Sequence, residues 1–418
     1  MSPNTSAVYV LIILAFVGIA SGKFPRLAMN RASIALTAAV LLVVLGGLTT
    51  HEALAVVDTE TLALLLAMMI IVANLRVSGF FLIAGGRVLS IARSPRILLA
   101  IVVLVSGVLS ALFLNDTICL MFTPLVAEMA RRSGRDGRPY LIALATSANA
   151  GSCATSIGNP QNMLIASQSG IPFGTFVLAL GLPSLIAMLL SYWMTVLMFP
   201  SEFRANTMLR QPADRVTADA EAGHAEVSPY LMYKSLAASA LLLVLLLVGV
   251  RTSHAALIAA SILLITRRVH PERIFAEVDF TLLVFFSGLF VLTAAVARTD
   301  AFAMAMQWLT PHLQRPGGLF AAAAIALASN LVSNVPAVML LSPAARAMAN
   351  PQPAWLMLAM ASTFAGNLTL LGSVANLIVA EQGEKSGVHI GFVDYLKVGL
   401  PVTLLSIAAG TLWLGIIL

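Results

Sequence analysis

Two stretches far apart in the chain break an otherwise apolar run with the same short polar motif. Around Gly158 the sequence reads ATSIGNPQNMLIA, and around Gly372 it reads NLTLLGSVANLIVA. In each, an Asn follows the Gly by four residues, at Asn162 and Asn376. Each copy carries a second interruption upstream: Asn115-Asp116-Thr117 in the first and Ser333-Asn334-Val335-Pro336 in the second. A helix broken inside a bilayer exposes N–H groups at one end and C=O groups at the other, and only protein or a polar cavity can satisfy them there. Paired, interrupted segments in two halves of a chain therefore point to a secondary transporter with its site near the midplane.

Composition demands a membrane. Hydrophobic residues make up 59% of the 418 and charged residues 10%, far from the balance of a soluble domain. Apolar runs fall at 7–22, 32–49, 61–75, 97–114, 117–130, 140–168, 173–199, 235–250, 255–266, 279–297, 318–349, 354–380 and 391–418. Many approach the length of a spanning helix, and none alternates as a barrel strand would. The expected fold is an all-α polytopic membrane protein. The net charge of +6 is no nucleic-acid signal, because the basic residues sit in short loops, where they orient spans. Cys119 and Cys153 lie in apolar segments, where two small buried side chains are a better reading than a metalloid-binding thiol pair. The six His lie in loops or near segment ends, without an HExxH pattern. No catalytic residue, metal ligand or cofactor is assigned. The first apolar run follows no basic region and reads as a retained span.

Loop charge gives a topology. Lys23, Arg26 and Arg31 follow the first run; His51, Glu52, Asp58 and Glu60 follow the second; Arg76, Arg87, Arg93 and Arg96 follow the third. The positive loops belong in the cytoplasm, which puts the N-terminus outside. The next cluster, Arg131, Arg132, Arg135 and Arg138, is cytoplasmic again. Residues 97–130 then enter and leave on one side, as a re-entrant hairpin with Asn115-Asp116-Thr117 at its tip. Residues 201–234 read as a cytoplasmic linker, and Arg267, Arg268 and Arg273 return inside. The C-terminus is expected outside.

The second half repeats the first. Asp58 recurs as Asp279, Asn115 as Asn334, Gly158 and Asn162 as Gly372 and Asn376, and Gly181-Leu182-Pro183 as Gly399-Leu400-Pro401, at offsets of 221, 219, 214 and 218 residues. The first copy starts outside and the second inside, so the repeat is inverted. The division is a two-span segment at 1–57, a first repeat at 58–200 with hairpin 97–130 and broken helix 140–168, the linker at 201–234, a two-span connector at 235–278, and a second repeat at 279–418 with hairpin 318–349 and broken helix 354–380.

Helix N-termini attract anions and carbonyl ends attract cations, with Asn, Ser and Thr completing such sites. The candidate solute or ion ligands are Asn115, Asp116 and Thr117 at the first tip, and Thr155, Ser156, Asn159 and Asn162 at the first break. Ser333 and Asn334 stand at the second tip, and Thr363, Asn367, Thr369, Ser373 and Asn376 at the second break. For any single Ser or Thr, helix packing is the plainer reading. Asp116 is an acid deep in an apolar stretch, with no basic partner evident in the sequence. It carries a proton, binds a small cation, or only caps the helix that follows.

These residues resemble the ion transporter superfamily, which includes arsenite efflux permeases, sodium/proton antiporters and dicarboxylate/sulfate carriers. The stretch Leu114-Asn115-Asp116-Thr117 with Thr123-Pro124 looks like its first hairpin motif, and Ser333-Asn334-Val335-Pro336 like its second. Asn149-Ala150-Gly151-Ser152 with Ile157-Gly158-Asn159-Pro160-Gln161-Asn162 looks closest to bacterial members grouped with the arsenite permeases. The resemblance implies about ten spans plus two opposed re-entrant hairpins, with the solute between the tips. The paired Ser-Asn-Thr tips of the dicarboxylate carriers are missing. The expectation is a multi-pass protein of the bacterial cytoplasmic membrane that exports arsenite or antimonite against protons. Inorganic anion or dicarboxylate transport and sodium/proton antiport are the alternatives, with a proton or a sodium ion as coupling ion. The expected partners are a small inorganic solute or anion and the lipid bilayer, with a homodimer left open. An intramembrane hydrolase would need a nucleophile and base, or paired metal ligands, at membrane depth. No buried His or second deep carboxylate stands out.

Overall fold

The computed structural model describes residues 5–21, 28–204, 228–266, 270–313 and 318–418. Lys23, Arg26, Arg267, Arg268 and linker residues 205–227 lie outside the described residues. The described chain is helical, with no strand among its residues. It opens with α1 (Thr5–Ser21), α2 (Arg31–Val44) and the short α3 (Thr50–Ala55). The first repeat holds α4 (Thr59–Val77), α5 (Phe80–Ser90), α6 (Pro95–Leu112), α7 (Asn115–Arg132), α8 (Gly137–Ser152), α9 (Pro160–Ser169) and α10 (Phe173–Met198). After α11 (Pro200–Arg204) come α12 (Pro229–Leu247), α13 (Thr252–Leu264) and α14 (Pro271–Phe275). The second repeat holds α15 (Phe280–Ala297), α16 (Asp300–Leu313), α17 (Leu319–Val332), α18 (Asn334–Arg346), α19 (Gln352–Ala365), α20 (Val374–Lys385) and α21 (Phe392–Ile417). Six helices, α4, α6, α10, α12, α15 and α21, are long and apolar enough to cross a bilayer.

The two repeats match helix for helix, α4–α10 against α15–α21. Asp58 and Asp279 each cap their first helix, accepting from Thr61 N and Leu282 N. The last helices, α10 and α21, both run 26 residues over an internal proline, Pro183 or Pro401. Between α6 and α7 only Phe113 and Leu114 are non-helical; between α17 and α18 only Ser333 is. Both tips are therefore sharp. Ser333 has φ 77°, the only positive φ outside glycine among the described residues, and such backbone is strained for a residue with a Cβ.

The broken helices form the core. Every residue of α8 except Arg138 is buried, as is α19 from Ala354 to Ala365. Small residues let the backbones close up, as they do where no water drives helices together. A Cβ on Gly151 of α8 would stand 2.1 Å from the Gly107 carbonyl oxygen of α6. A Cβ on Gly288 of α15 would stand 2.7 Å from the Ala35 backbone of α2. This packing shortens the first break relative to its sequence signal. Helix α8 continues to Ser152 through a run of small residues, because they serve contact with α6. The linker is also shorter than expected. Residues 229–234 are helical because Ser228 accepts from Leu231 N and Pro229 opens α12.

Contacts between helix ends and loops gather at two ends. At one, Arg76 pairs with Glu277 at 2.8 Å, Arg138 with Asp394 at 3.1 Å, and Tyr140 donates to Glu202 at 2.9 Å. At the other, Arg298 pairs with Glu52 at 2.8 Å, Ser253 donates to Glu60 at 2.7 Å, and Ser167 to Asp58 at 3.1 Å. Each contact joins loops that the arginine alternation assigns to one side.

The glycine seam yields a stability prediction. Gly151→Ala should destabilise by about 1–3 kcal/mol, the usual cost of overpacking. Gly174→Ala, with nothing within 4 Å of its added Cβ, should be neutral or slightly stabilising. Thermal denaturation of the two purified variants compares them directly; equal midpoints would mean that the seam yields.

Candidate functional site

The same asparagine closes both helix breaks. Asn162 Nδ2 donates to the Ser152 carbonyl at 3.2 Å and the Thr155 carbonyl at 3.0 Å. Asn376 Nδ2 donates to the Gly366 carbonyl at 2.7 Å and the Thr369 carbonyl at 3.0 Å. All three positions correspond across the repeat, 214 residues apart. Each amide satisfies carbonyls that the unwound turn strips of helical partners. The second half-helices are capped alike: Asn159 accepts from Asn162 N, and Ser373 from Ala375 N. Gly158 must be a glycine for close approach, since a Cβ would stand 2.4 Å from Ser152 O, and Gly372 is tight in the same way, with a Cβ 3.0 Å from Gly366 O.

A buried polar network joins the two breaks. Asn149 Nδ2 donates to Asn367 Oδ1 and Asn376 Oδ1, both at 2.9 Å, and Asn149 Oδ1 accepts from Ser373 Oγ at 3.2 Å. The repeat-related contacts run through Thr363: its hydroxyl donates to Asn162 Oδ1 at 3.4 Å and accepts from Asn159 Nδ2 at 3.3 Å. Asn149 and Thr363 are again 214 residues apart. The first tip joins this network, with Asn115 Nδ2 donating to Asn149 Oδ1 at 3.0 Å and Asn115 N to the Gly158 carbonyl at 3.0 Å.

Some polar atoms remain unpaired, and four of them form two repeat-related pairs. Asn115 Oδ1 and Asn334 Oδ1 are buried without a hydrogen-bond partner, and so are Ser110 Oγ and Ser329 Oγ. Both pairs are 219 residues apart. A buried acceptor left open is costly, and it suits a ligand that brings a donor.

Both tips open on one cavity of about 300 Å³. Its wall is made of first-turn or capping residues from six helices, α2, α7, α9, α15, α18 and α20, with Phe285 and Phe286 from the second turn of α15. Six N-terminal ends, each carrying partial positive charge, converge there. Those of α7 and α18 have no side-chain cap. Arg31, Asp116 and Asp279 supply the formal charges. Asp116 is surrounded by protein yet partly accessible, because the cavity reaches it. Helix α7 is capped at Leu114 without a side-chain hydrogen bond, and Asp116 stands in its first turn. Arg31 and Asp279 share the cavity wall with it, so it has a basic neighbour that the sequence did not reveal.

The predicted ligands divide into two groups. Asn115, Asp116, Ser333, Asn334 and Ser373 line the cavity. Asn159, Asn162, Asn367 and Asn376 are buried in bonds that hold the breaks together. Thr155 donates to the Ala111 carbonyl. Thr117, Ser156 and Thr369 are not on the cavity wall. Sequence reasoning missed Arg31, Asn149, Gln161 and Asp279. Arg31 looked like one more loop charge, and Asp279 served only to mark the start of the repeat. Each nevertheless stands at the first turn of a helix that follows a loop, where a side chain meets a terminal dipole. Cys119 and Cys153 are buried and free, and neither lines the cavity.

The paired amides set an expectation. Asn162→Ala and Asn376→Ala each remove two bonds to break carbonyls and should destabilise by similar amounts, about 1–3 kcal/mol. Denaturation midpoints that differ widely between them would argue against equivalent breaks.

Comparison with known proteins accords with this architecture. Residues 9–365 match the family described as Citrate transporter. A silicon efflux transporter of Oryza sativa subsp. japonica is 33% identical over 454 residues, covering 94% of this chain and 93% of that protein. A Dictyostelium discoideum protein bearing the transporter name arsB is 28% identical over 510 residues, covering 96% and 90%. An uncharacterized transporter of Mycobacterium tuberculosis is 30% identical over 431 residues, covering 97% and 96%. The chain belongs to the citrate transporter family, within the ion transporter superfamily.

Proposed function

We propose that this protein is a secondary active transporter that exports a small hydroxylated oxyacid, arsenite or antimonite, in exchange for protons. Its architecture is read as ten spans plus two opposed re-entrant hairpins in an inverted repeat, in the bacterial cytoplasmic membrane. The loop contacts support this topology, since they join only loops assigned to one side. The observation that carries the solute class is the pair of open acceptors, Asn115 Oδ1 and Asn334 Oδ1, beside two uncapped helix N-termini. A ligand that donates O–H groups to the amide oxygens and accepts from the N–H groups of the helix ends would satisfy both. Neutral As(OH)3 does both at once. The silicon efflux relative gives the same support, because silicic acid is also a neutral polyhydroxyl solute.

Counterflow into proteoliposomes tests the reading, with arsenite, antimonite, silicic acid, phosphate, sulfate, citrate and sodium offered in turn. Exchange of the first three is expected. Exchange of citrate or sulfate alone would favour the anion reading, and sodium/proton exchange alone the antiporter reading. A further expectation concerns the tips. Asn115→Ala and Asn334→Ala should each weaken solute binding by about 1–3 kcal/mol, and the double variant should depart from their sum because the two share a ligand. Strict additivity in a binding titration counts against a common site.

Proton coupling is assigned to Asp116, the deepest carboxylate in the cavity. Asp116→Asn should fold normally and lose proton-driven export while retaining solute counterflow. Export with an unchanged pH dependence would remove Asp116 from the coupling step.

A further inference from the structure

A second cavity, of about 460 Å³, lies at the Asp58 end of the molecule. Its polar lining is Asp58, Gln168, Thr293, Ser342 and Arg346. The Asp58 carboxylate is already held by Thr61, Ser167 and Gln168. Gln168 Oε1 is buried with no partner, and Arg346 stands exposed at the rim. A hydroxylated solute would find an acceptor in Gln168 and a donor in Arg346.

Three helices line both cavities. Helix α15 borders the inner one as far as Phe286 and the outer one from Phe290; α18 borders the inner one as far as Val335 and the outer one from Met339. On each helix the separation is about one turn, or about 6 Å of rise. Helix α9 runs from Gln161 on the inner cavity to Gln168 on the outer one. The barrier between the cavities is therefore thin and apolar. Leu289 and Val338 lie on the helix turns between the two linings and are both fully buried, and at the outer cavity the Thr293 hydroxyl reaches Met339 Sδ at 3.9 Å. Its two walls differ in freedom. Gly288 locks α15 backbone to backbone onto α2, whereas α18 begins at the strained Ser333.

We infer that the outer cavity is the outer-side access route to the Asn115–Asn334 site, and that the Leu289–Val338 layer between α15 and α18 is its barrier. The inference rests on the transporter reading above. The route predicts which positions reagents reach from each side, whatever the solute. Ser342→Cys and Thr281→Cys, each in a Cys119→Ser, Cys153→Ala background, are treated with a membrane-impermeant thiol reagent in intact cells and in inside-out vesicles. Position 342 should label only in cells and position 281 only in vesicles. Labelling of both from one side overturns the route. Ala294 lines the outer cavity, and Ala294→Trp should fill it. In that variant, labelling at 342 and arsenite flux should both fall to background while labelling at 281 persists. Flux at the unmodified rate with labelling at 342 lost also overturns it. If Ala294→Trp loses labelling at 281 as well, the smaller Ala294→Leu is read by the same two outcomes. A protein that labels as expected but moves none of the oxyacids refutes the solute assignment and leaves the route standing.

Discussion

The whole arrangement depends on satisfying the backbone where helices stop inside a membrane. No water is available there to accept or donate, so an unwound turn must find protein partners or line a cavity. Two asparagine amides meet that demand, Asn162 in one repeat and Asn376 in the other, each bridging two carbonyls of its own break. With the carbonyl side satisfied by protein, the opposite face of each break can present helix N-termini to the cavity. The site is polar because its scaffold has already absorbed the cost of being broken.

Duplication gives the site its balance. Asn149 and Thr363 occupy equivalent positions and reach across to each other's break, so each repeat helps to hold its partner's half-helix. Two pairs of unpaired atoms, on Asn115 and Asn334 and on Ser110 and Ser329, are duplicated as well, which argues against chance packing defects at those positions. The symmetry is nonetheless incomplete where chemistry is expected. Asp116 has Val335 as its counterpart at the same offset, and Ser333 has a backbone conformation that Leu114 lacks. One tip carries the charge and the other the strain.

Much of this was legible in the sequence. Hairpin tips, broken helices and the order of the repeat follow from polar interruptions within apolar runs, because lipid forbids such interruptions elsewhere. The division of labour among the polar residues was not legible. Asn162 and Asn115 look alike in the sequence, yet one closes a break and the other faces the cavity. That difference depends on how α7 meets α8 and α20, a matter of three-dimensional packing. Arg31 and Asp279 were hidden for a similar reason. Their helices lie outside the tip-and-break pattern, and only the fold brings their first turns to the same cavity.

The Gly107–Gly151 contact has a mechanical consequence. Side chains between two helices act as bearings: they change rotamer, and one helix can roll or slide by small steps over the other. Here the two backbones touch with no side chain between them, so there is nothing to repack. The first hairpin and the first broken helix must travel as a single rigid piece. Any sliding of helix over helix has to be taken up elsewhere, at surfaces where side chains still intervene.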